Sequence, residues 1–157
     1  MKFNKILAAA FAASLLASCG SGGTDPKPVD PSLVVVKSGL IQANETWSAD
    51  SIYQLSGRVV VDAGVTLTVE AGTIIKGEEG DGANASVLIV GKGGMIDAQG
   101  TAENPIVMTS VLDNIAVGQR NGSNLDETDK GLWGGLIILG DAPISADASE
   151  ALIEGLP

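Results

Sequence analysis

The chain has 157 residues, with 9 Lys and Arg, 19 Asp and Glu and no His, so its net charge is −10. This acidic balance argues against nucleic acid as a partner, because binding there depends on Lys and Arg displacing counterions from phosphates. Without His the chain has no imidazole base and no His-ligated zinc site, and a single Cys excludes an internal disulfide. The length and the 21 Gly residues suit one domain of short elements and tight turns.

The amino terminus predicts an export signal. Lys2 and Lys5 are followed by an apolar run over residues 6–17 that only Ser14 interrupts. That run is too short to cross a bilayer as a helix, which takes about 20 residues, but it fits the roughly 7–15-residue apolar core of a signal peptide. An amphipathic helix of a cytosolic protein is the alternative, although the run has no polar face. We therefore predict a signal peptide at residues 1–18.

The end of this leader, Leu16-Ala17-Ser18-Cys19, resembles the lipobox of bacterial lipoprotein precursors. The resemblance implies that Cys19 becomes the lipid-modified amino terminus of an exported protein. Its partner is then the membrane, in which two or more acyl chains anchor the protein permanently. An ordinary signal peptide is the alternative, but it would leave an unpaired thiol in an oxidising compartment. Gly20 stands where lipoproteins of the inner membrane commonly have Asp. By resemblance this implies the outer membrane, on either its periplasmic or its cell-surface face.

A flexible segment separates the anchor from the folded part. Residues 20–31 are rich in Gly, Ser and Pro and have no apolar pattern. Such a segment behaves as a random coil about 20 Å long, stiffened towards its end by Pro. We predict a lipidated Cys and a tether at residues 19–31, and a folded domain at residues 32–157.

The folded part carries an internal repeat. Residues 65–75 match residues 86–96 at an offset of 21, with apolar positions on apolar positions and Gly72 on Gly93. Residues 61–64 also match residues 69–72 at an offset of 8. Three short strands per repeat, joined by glycine turns, are typical of one coil of a parallel β-helix. A repeat of 21 predicts that Leu67 stacks on Leu88 inside such a solenoid; an antiparallel β-sandwich is the alternative.

Further elements continue this pattern unevenly. We predict a strand at residues 105–110, a long polar loop at residues 111–130 and a new coil that begins at residues 136–140. A β-helix needs a cover for its open end, because that end exposes apolar core and unpaired backbone. The large side chains that precede the first repeat, Trp47, Tyr53 and Leu55, are candidates for that cap. The apolar start at residues 153–157 predicts a solenoid that is incomplete at its carboxyl end, as in the front part of a longer protein.

The segments Thr66-Leu67-Thr68-Val69-Glu70-Ala71-Gly72-Thr73-Ile74-Ile75-Lys76-Gly77 and Trp133-Gly134-Gly135-Leu136-Ile137-Ile138-Leu139-Gly140 carry a family resemblance. The chain from Trp47 to Leu156 resembles the amino-terminal part of a family of bacterial surface or secreted lipoproteins. Its fold is a pectin-lyase-like, right-handed parallel β-helix. The resemblance implies an all-β solenoid and a place on the cell envelope, whereas the molecular function of family members is mostly unassigned.

Two acidic segments, residues 77–84 and 124–129, are candidates for calcium binding, because Ca²⁺ takes six to eight oxygen ligands. Neither segment has the spacing of an EF-hand or of a calcium β-roll. Solvated acidic loops are the alternative, and no other cofactor is indicated. The candidate ligands are Glu78, Glu79, Asp81, Asp126, Glu127 and Asp129.

Enzymes on this scaffold cut acidic polysaccharides with charged residues along one outer face. Asp62 and Glu70 occupy the same place in the short repeat, so they could stack as an acid/base pair for glycoside cleavage. Solvent-facing turn residues are the alternative, and an acidic surface repels an anionic glycan. Trp133 stands among glycines, either as a sugar-stacking platform or as a tightly packed ring. We predict structural roles for Gly72, Gly93, Trp133 and Trp47.

Two functions follow from these observations. The first is a non-catalytic, lipid-anchored β-helix module of the cell envelope that serves adhesion, glycan contact or surface architecture, with surface glycans or proteins as partners. The second is a carbohydrate-active enzyme, a polysaccharide lyase or glycoside hydrolase, whose catalytic coils follow residue 157.

Overall fold

A computed structural model of the chain describes residues 30–143 and residue 145. The predicted signal peptide at residues 1–18, Cys19, most of the tether and the apolar segment at residues 153–157 lie outside the described residues. Within residues 30–143, no helix is both long and apolar enough to span a membrane.

The described residues form nine β-strands and two short 3-10 helices, at Pro31–Leu33 and Gly82–Asn84. In chain order the strands are β1 (Val34–Ile41), β2 (Glu45–Trp47), β3 (Ile52–Val61), β4 (Thr66–Val69), β5 (Ile74–Gly77), β6 (Val87–Val90), β7 (Met95–Ala98), β8 (Val107–Ser110) and β9 (Leu136–Ile138).

All strand pairings within the described part of the chain are parallel, and they divide among three faces. β3 is shared between two faces, because its first half pairs with β5 and its second half with β6. The first face contains residues 34–37, 52–55, 74–77 and 107–110. The second face contains residues 39–41, 58–61, 87–90 and 136–138. The third face contains β2, β4 and β7.

The chain visits the first, second and third faces in turn and then starts again one layer further on. We term each such passage a coil: residues 34–47, 52–69 and 74–98 form the first three, and the fourth begins at residue 107. This is the parallel β-helix that the sequence predicted, and the antiparallel sandwich is wrong. β9 pairs with β6, so the predicted new coil after the long loop is also confirmed.

The predicted stacking of Leu67 on Leu88 is wrong. Leu88 pairs in the second face with Val59, 29 positions earlier, whereas Leu67 pairs in the third face with Ile96, 29 positions later. The second and third faces of the second coil are 8 positions apart, as Val59 and Leu67 are. The offset of 21 therefore compares the third face of one coil with the second face of the next. In both faces a short apolar strand is followed by a glycine turn. The sequence repeat reflects this shared strand and turn, and not the stacking of coils.

The interior is aliphatic, as the alternation of the strands predicted. Leu67, Val69, Leu88 and Val90 are each at most 2% exposed and belong to one apolar core. The outward residues Thr66 and Thr68 on the same strand as Leu67 are partly exposed. Alternation is lost in β5 and β6, where all four residues of each strand are buried.

Trp47 and Tyr53 do not cap the solenoid but lie inside its first two coils. Their rings stack with centroids 4.7 Å apart and planes 7° from parallel, and both residues are buried. The amino-terminal opening is instead crossed by an ion pair between Lys37 and Glu45 of the first coil. The Lys37 ammonium lies 6.0 Å from the centroid of the Trp47 ring, so a charged pair covers an aromatic one. The cap prediction failed because β1 begins the first coil, so that Trp47 lies within that coil and Tyr53 within the next one.

Gly72 and Gly93 occupy turns with φ of +89° and +75°, the left-handed conformation that favours glycine. We expect Gly72→Ala and Gly93→Ala each to lower the free energy of unfolding by about 1–2 kcal/mol, the cost of that conformation for a residue with a Cβ. Gly140→Ala is the matched control, because Gly140 has no positive φ and a Cβ there would meet open space. Urea denaturation measures the change; three equal curves would contradict the assignment of strain to these turns.

Candidate functional site

One corner of the solenoid collects the insertions. The connection from the first face to the second is Ser38 alone in the first coil, then residues 56–57, 78–86 and 111–135 in the following coils. The connection from the second face to the third hardly changes in length. Because the coils stack, these insertions leave from one side of the molecule, which we term the insertion corner. Insertions gathered on one face of a repeat protein are often its binding surface.

Both predicted acidic segments lie at the insertion corner. Glu78, Glu79 and Asp81 are in the connection at residues 78–86, and Asp126, Glu127 and Asp129 are in the one at residues 111–135. However, among residues 30–143 no three acidic side chains are grouped as metal ligands. The structure brings the two segments to one corner without forming a cation site, and calcium binding stays a prediction.

Several of these carboxylates accept hydrogen bonds within the protein. Glu78 accepts from Gln54 Nε2 at 2.7 Å and from Ser56 Oγ at 2.8 Å, which ties its connection to the preceding coil. Asp126 accepts from the backbone N of Thr128 at 2.8 Å and from its hydroxyl at 2.6 Å. The bond from the Thr128 hydroxyl and, to a smaller extent, the bond from its backbone N lower the pKa of Asp126. The side chains therefore shape the loops at this corner.

The connection at residues 111–135, which we term the long loop, folds back over the outer side of the first face. Ile115 of this loop is fully buried and packs against Ile52 and Ile74. These two residues point outward and would otherwise expose apolar surface. Burying a side chain such as Ile115 contributes about 1.5–3 kcal/mol, so the loop is held by its own small core.

A buried cation fixes the start of the long loop. Lys76 points outward from β5 and is 5% exposed, and its ammonium donates to the carbonyl oxygens of Asp113 at 2.7 Å and Ile115 at 2.8 Å. The Asp113 carboxylate accepts from Thr109 Oγ1 at 2.9 Å and from the Ile115 backbone N at 2.9 Å. Burial lowers the pKa of Lys76, and the negative charge of Asp113 opposes this change.

Amide side chains close the middle of the long loop. The backbone N of Asn114 donates to Asn124 Oδ1 at 2.9 Å, and Asn124 Nδ2 donates to the carbonyl oxygen of Leu112 at 2.7 Å. Ser123 N donates to Asn114 Oδ1 at 2.9 Å. The loop is thus packed on itself, like the compact surface loops that often carry function.

Trp133 fills a gap at the end of the long loop. It is partly buried against the main core, and a Cβ at Gly77 would lie 2.6 Å from its ring. Gly134 donates its backbone N–H to the carbonyl oxygen of Ser86 at 2.7 Å, and a Cβ on Gly134 would lie 2.9 Å from that oxygen. The ring therefore packs against the main core beside Gly77. Gly77 makes room for the ring, a role that was not predicted from the sequence.

Asp62 and Glu70 do not stack as the acid/base pair that was weighed against solvent-facing turn residues. Asp62 follows the second face and Glu70 follows the third, so they lie at two different corners of the same coil. Asp62 accepts from the Ala63 backbone N at 2.8 Å and stabilises its own turn. Sequence reasoning also missed the contact between Lys76 and the long loop. The available signal was a single lysine within an apolar strand.

Replacing Lys76 tests whether this cation holds the loop. Lys76→Met keeps the aliphatic stem but removes the donor from two carbonyl oxygens, and we expect a loss of about 1–3 kcal/mol in the free energy of unfolding. Cleavage within the long loop by a protease should become faster. Lys130→Ala is the control, since Lys130 is exposed in the same loop. Equal stability and equal cleavage in the two variants would contradict the role of Lys76.

The lowered pKa of Lys76 gives this contact a pH dependence. Between the pKa in the folded state and the ordinary value of 10.5, the unfolded chain binds more protons than the folded one at this site. Stability from this site therefore rises with pH through that interval. We expect the difference in unfolding free energy between wild type and Lys76→Met to grow in favour of wild type as the pH approaches 10.5. A difference that falls with pH would contradict this.

Comparison with known proteins agrees with the coil topology. The model of a family described as the pectate-lyase-like β-helix domain matches residues 39–155, from the second half of β1 to beyond β9. No curated protein and no solved structure matches the chain. Since the family match covers most of the sequence and every coil, the chain belongs to the pectate-lyase-like β-helix domain family.

Proposed function

We propose that this protein is an exported lipoprotein of the outer membrane whose β-helix is a non-catalytic binding module for a neutral glycan. The observation that carries the binding role is the insertion corner, where the two longest connections leave the solenoid on the same side. The lipobox resemblance at Cys19 supports the anchor, and the predicted tether at residues 19–31 supports a folded domain linked to that anchor, on either face of that membrane.

A binding role is supported by how firmly the long loop is held. Ile115 and Lys76 fix its start, and the Asn114 and Asn124 amides close its middle. A loop that is already ordered loses little conformational entropy when it binds a ligand. The insertion corner is therefore pre-organised as a contact surface.

Charge favours a neutral ligand. The connections at residues 78–86 and 111–135 contain seven acidic and two basic residues, so they repel an anionic polysaccharide. Sugar hydroxyls, by contrast, donate to carboxylates in charge-assisted hydrogen bonds. Glu79 and Glu127 are exposed at this corner and can accept such bonds.

A carbohydrate-active enzyme is the second candidate, because the family takes its description from pectate lyases. The hydrogen bonding of the carboxylates at the insertion corner favours binding over catalysis. Glu78 and Asp113 are engaged in hydrogen bonds that hold the coils and the long loop. Catalysis is therefore an outcome that the binding experiment has to detect.

The detergent-solubilised mature protein can be tested on an array of neutral and acidic glycans. We expect retention of neutral chains without shortening, and about tenfold weaker binding by the variant Glu79→Gln/Glu127→Gln, because two charge-assisted bonds are lost. Glu70→Gln makes the same chemical change at another corner and should bind as wild type. New reducing ends or unsaturated products would support the enzyme, and a preference for acidic chains would contradict the charge argument.

The anchor has its own test. Intact-mass measurement of the protein from a Gram-negative host should show a chain that begins at Cys19 and carries added lipid. The variant Cys19→Ser should lose both the added mass and the association with the membrane fraction. A wild-type chain without added lipid would contradict the lipoprotein assignment and leave the glycan prediction standing.

A further inference from the structure

Exposed apolar side chains are concentrated at the amino-terminal end of the solenoid. Of the eight large hydrophobic residues that are exposed in the described part of the chain, four lie between residues 33 and 40. They are Leu33 at 36%, Val35 at 37%, Val36 at 59% and Leu40 at 59% exposure. We term these four residues the apolar rim. Apolar surface gathered in this way marks a site of interaction.

The apolar rim is the part of the solenoid nearest to the proposed anchor. It begins three residues after Asp30, and only residues 20–29 separate Asp30 from Cys19. As a random coil, a segment of that length would have a root-mean-square span of about 18 Å. A lipid on Cys19 would therefore hold this end, and not the far end, beside the bilayer.

The first strand is poorly suited to the addition of a strand from another protein. β1 pairs with β3 along one edge, and its register shifts between Lys37 and Gly39. Lys37 also points into the solenoid, where it pairs with Glu45. Irregular register and inward charges are features that oppose pairing at a sheet edge. The apolar rim thus offers side chains for burial without a regular edge, and a lipid surface needs no register.

Electrostatics at this end permits contact with lipid. The ion pair between Lys37 and Glu45 neutralises these two side chains at the solenoid opening, although the whole chain is strongly acidic. An acidic protein is repelled by anionic headgroups, so zwitterionic lipid is the surface that fits.

We propose that the apolar rim docks on the zwitterionic lipid surface beside the anchor and so sets the orientation of the solenoid. This inference rests on the lipid anchor of the proposed function. The long loop belongs to the fourth coil, and each coil adds about 4.8 Å along the axis. Docking at the first coil therefore holds the fourth coil, from which the long loop leaves, about 14 Å from the lipid surface, where a glycan can reach it.

The lipidated full chain, reconstituted in phosphatidylcholine vesicles, tests this orientation. A polarity-sensitive fluorophore is placed at Val36→Cys or Leu40→Cys, and at Met95→Cys or Leu112→Cys as controls, which are also exposed in the free chain. The thiol of Cys19 is blocked by its lipid. We expect a blue-shifted emission and several-fold quenching by nitroxide lipids at positions 36 and 40, and neither change at positions 95 and 112.

The outcomes are distinguishable. Chains that float with the vesicles but carry a label at position 40 as accessible to water as the label at position 95 would overturn the docking and leave the anchor intact. Wild-type chains that do not float would overturn the anchor and the docking together. A label at position 40 that becomes shielded in detergent alone, in proportion to protein concentration, would mean that a second copy covers the apolar rim, which also overturns the docking.

Discussion

Parallel hydrogen bonding between successive coils is the constraint on which the structure depends. Val34, Ile52, Ile74 and Val107 stack directly on the first face, although 18, 22 and 33 residues separate them along the chain. The backbone must return to the same line in each layer, because an unpaired strand would leave its N–H and C=O groups unsatisfied. The chain therefore places its extra residues at the corners. The insertion corner arises because most of these extra residues lie in the connections between the first and second faces.

The long loop covers the outer side of the first face because of the side chains that this face presents. Ile52 and Ile74 point outward and Lys76 lies beside them, so this surface combines apolar area with a cation. The long loop supplies an apolar residue, Ile115, and two carbonyl oxygens that match this combination. A buried charge is tolerable only when hydrogen bonds replace its hydration, and the carbonyl dipoles do so here. Fold and loop are thus mutually dependent, since each buries what the other would leave exposed.

The sequence predicted the fold better than its register. Alternation in Thr66–Val69 and the runs around residues 87–90 and 136–138 identified strands, and glycines at turns identified corners. Stacking could not be predicted, because it depends on the lengths of the connections, and residues 78–86 lengthen one coil without altering the pattern of its strands. For the same reason Asp62 and Glu70 looked equivalent although they lie at different corners. The burial of Lys76 was equally hidden, since its partners are backbone carbonyls, which no side-chain pattern reports.

Lys76 also links the stability of the solenoid to the surface it presents. The long loop carries most of its acidic residues near Asp126, where they are exposed to solvent. Their mutual repulsion favours an extended loop, whereas Ile115, Lys76 and the asparagine bonds favour a folded one. The contacts at the start of the loop are buried and screened little by salt, and the repulsion at its tip is exposed and screened strongly. The balance therefore favours an ordered loop at physiological ionic strength, with its acidic residues near Asp126 exposed to solvent.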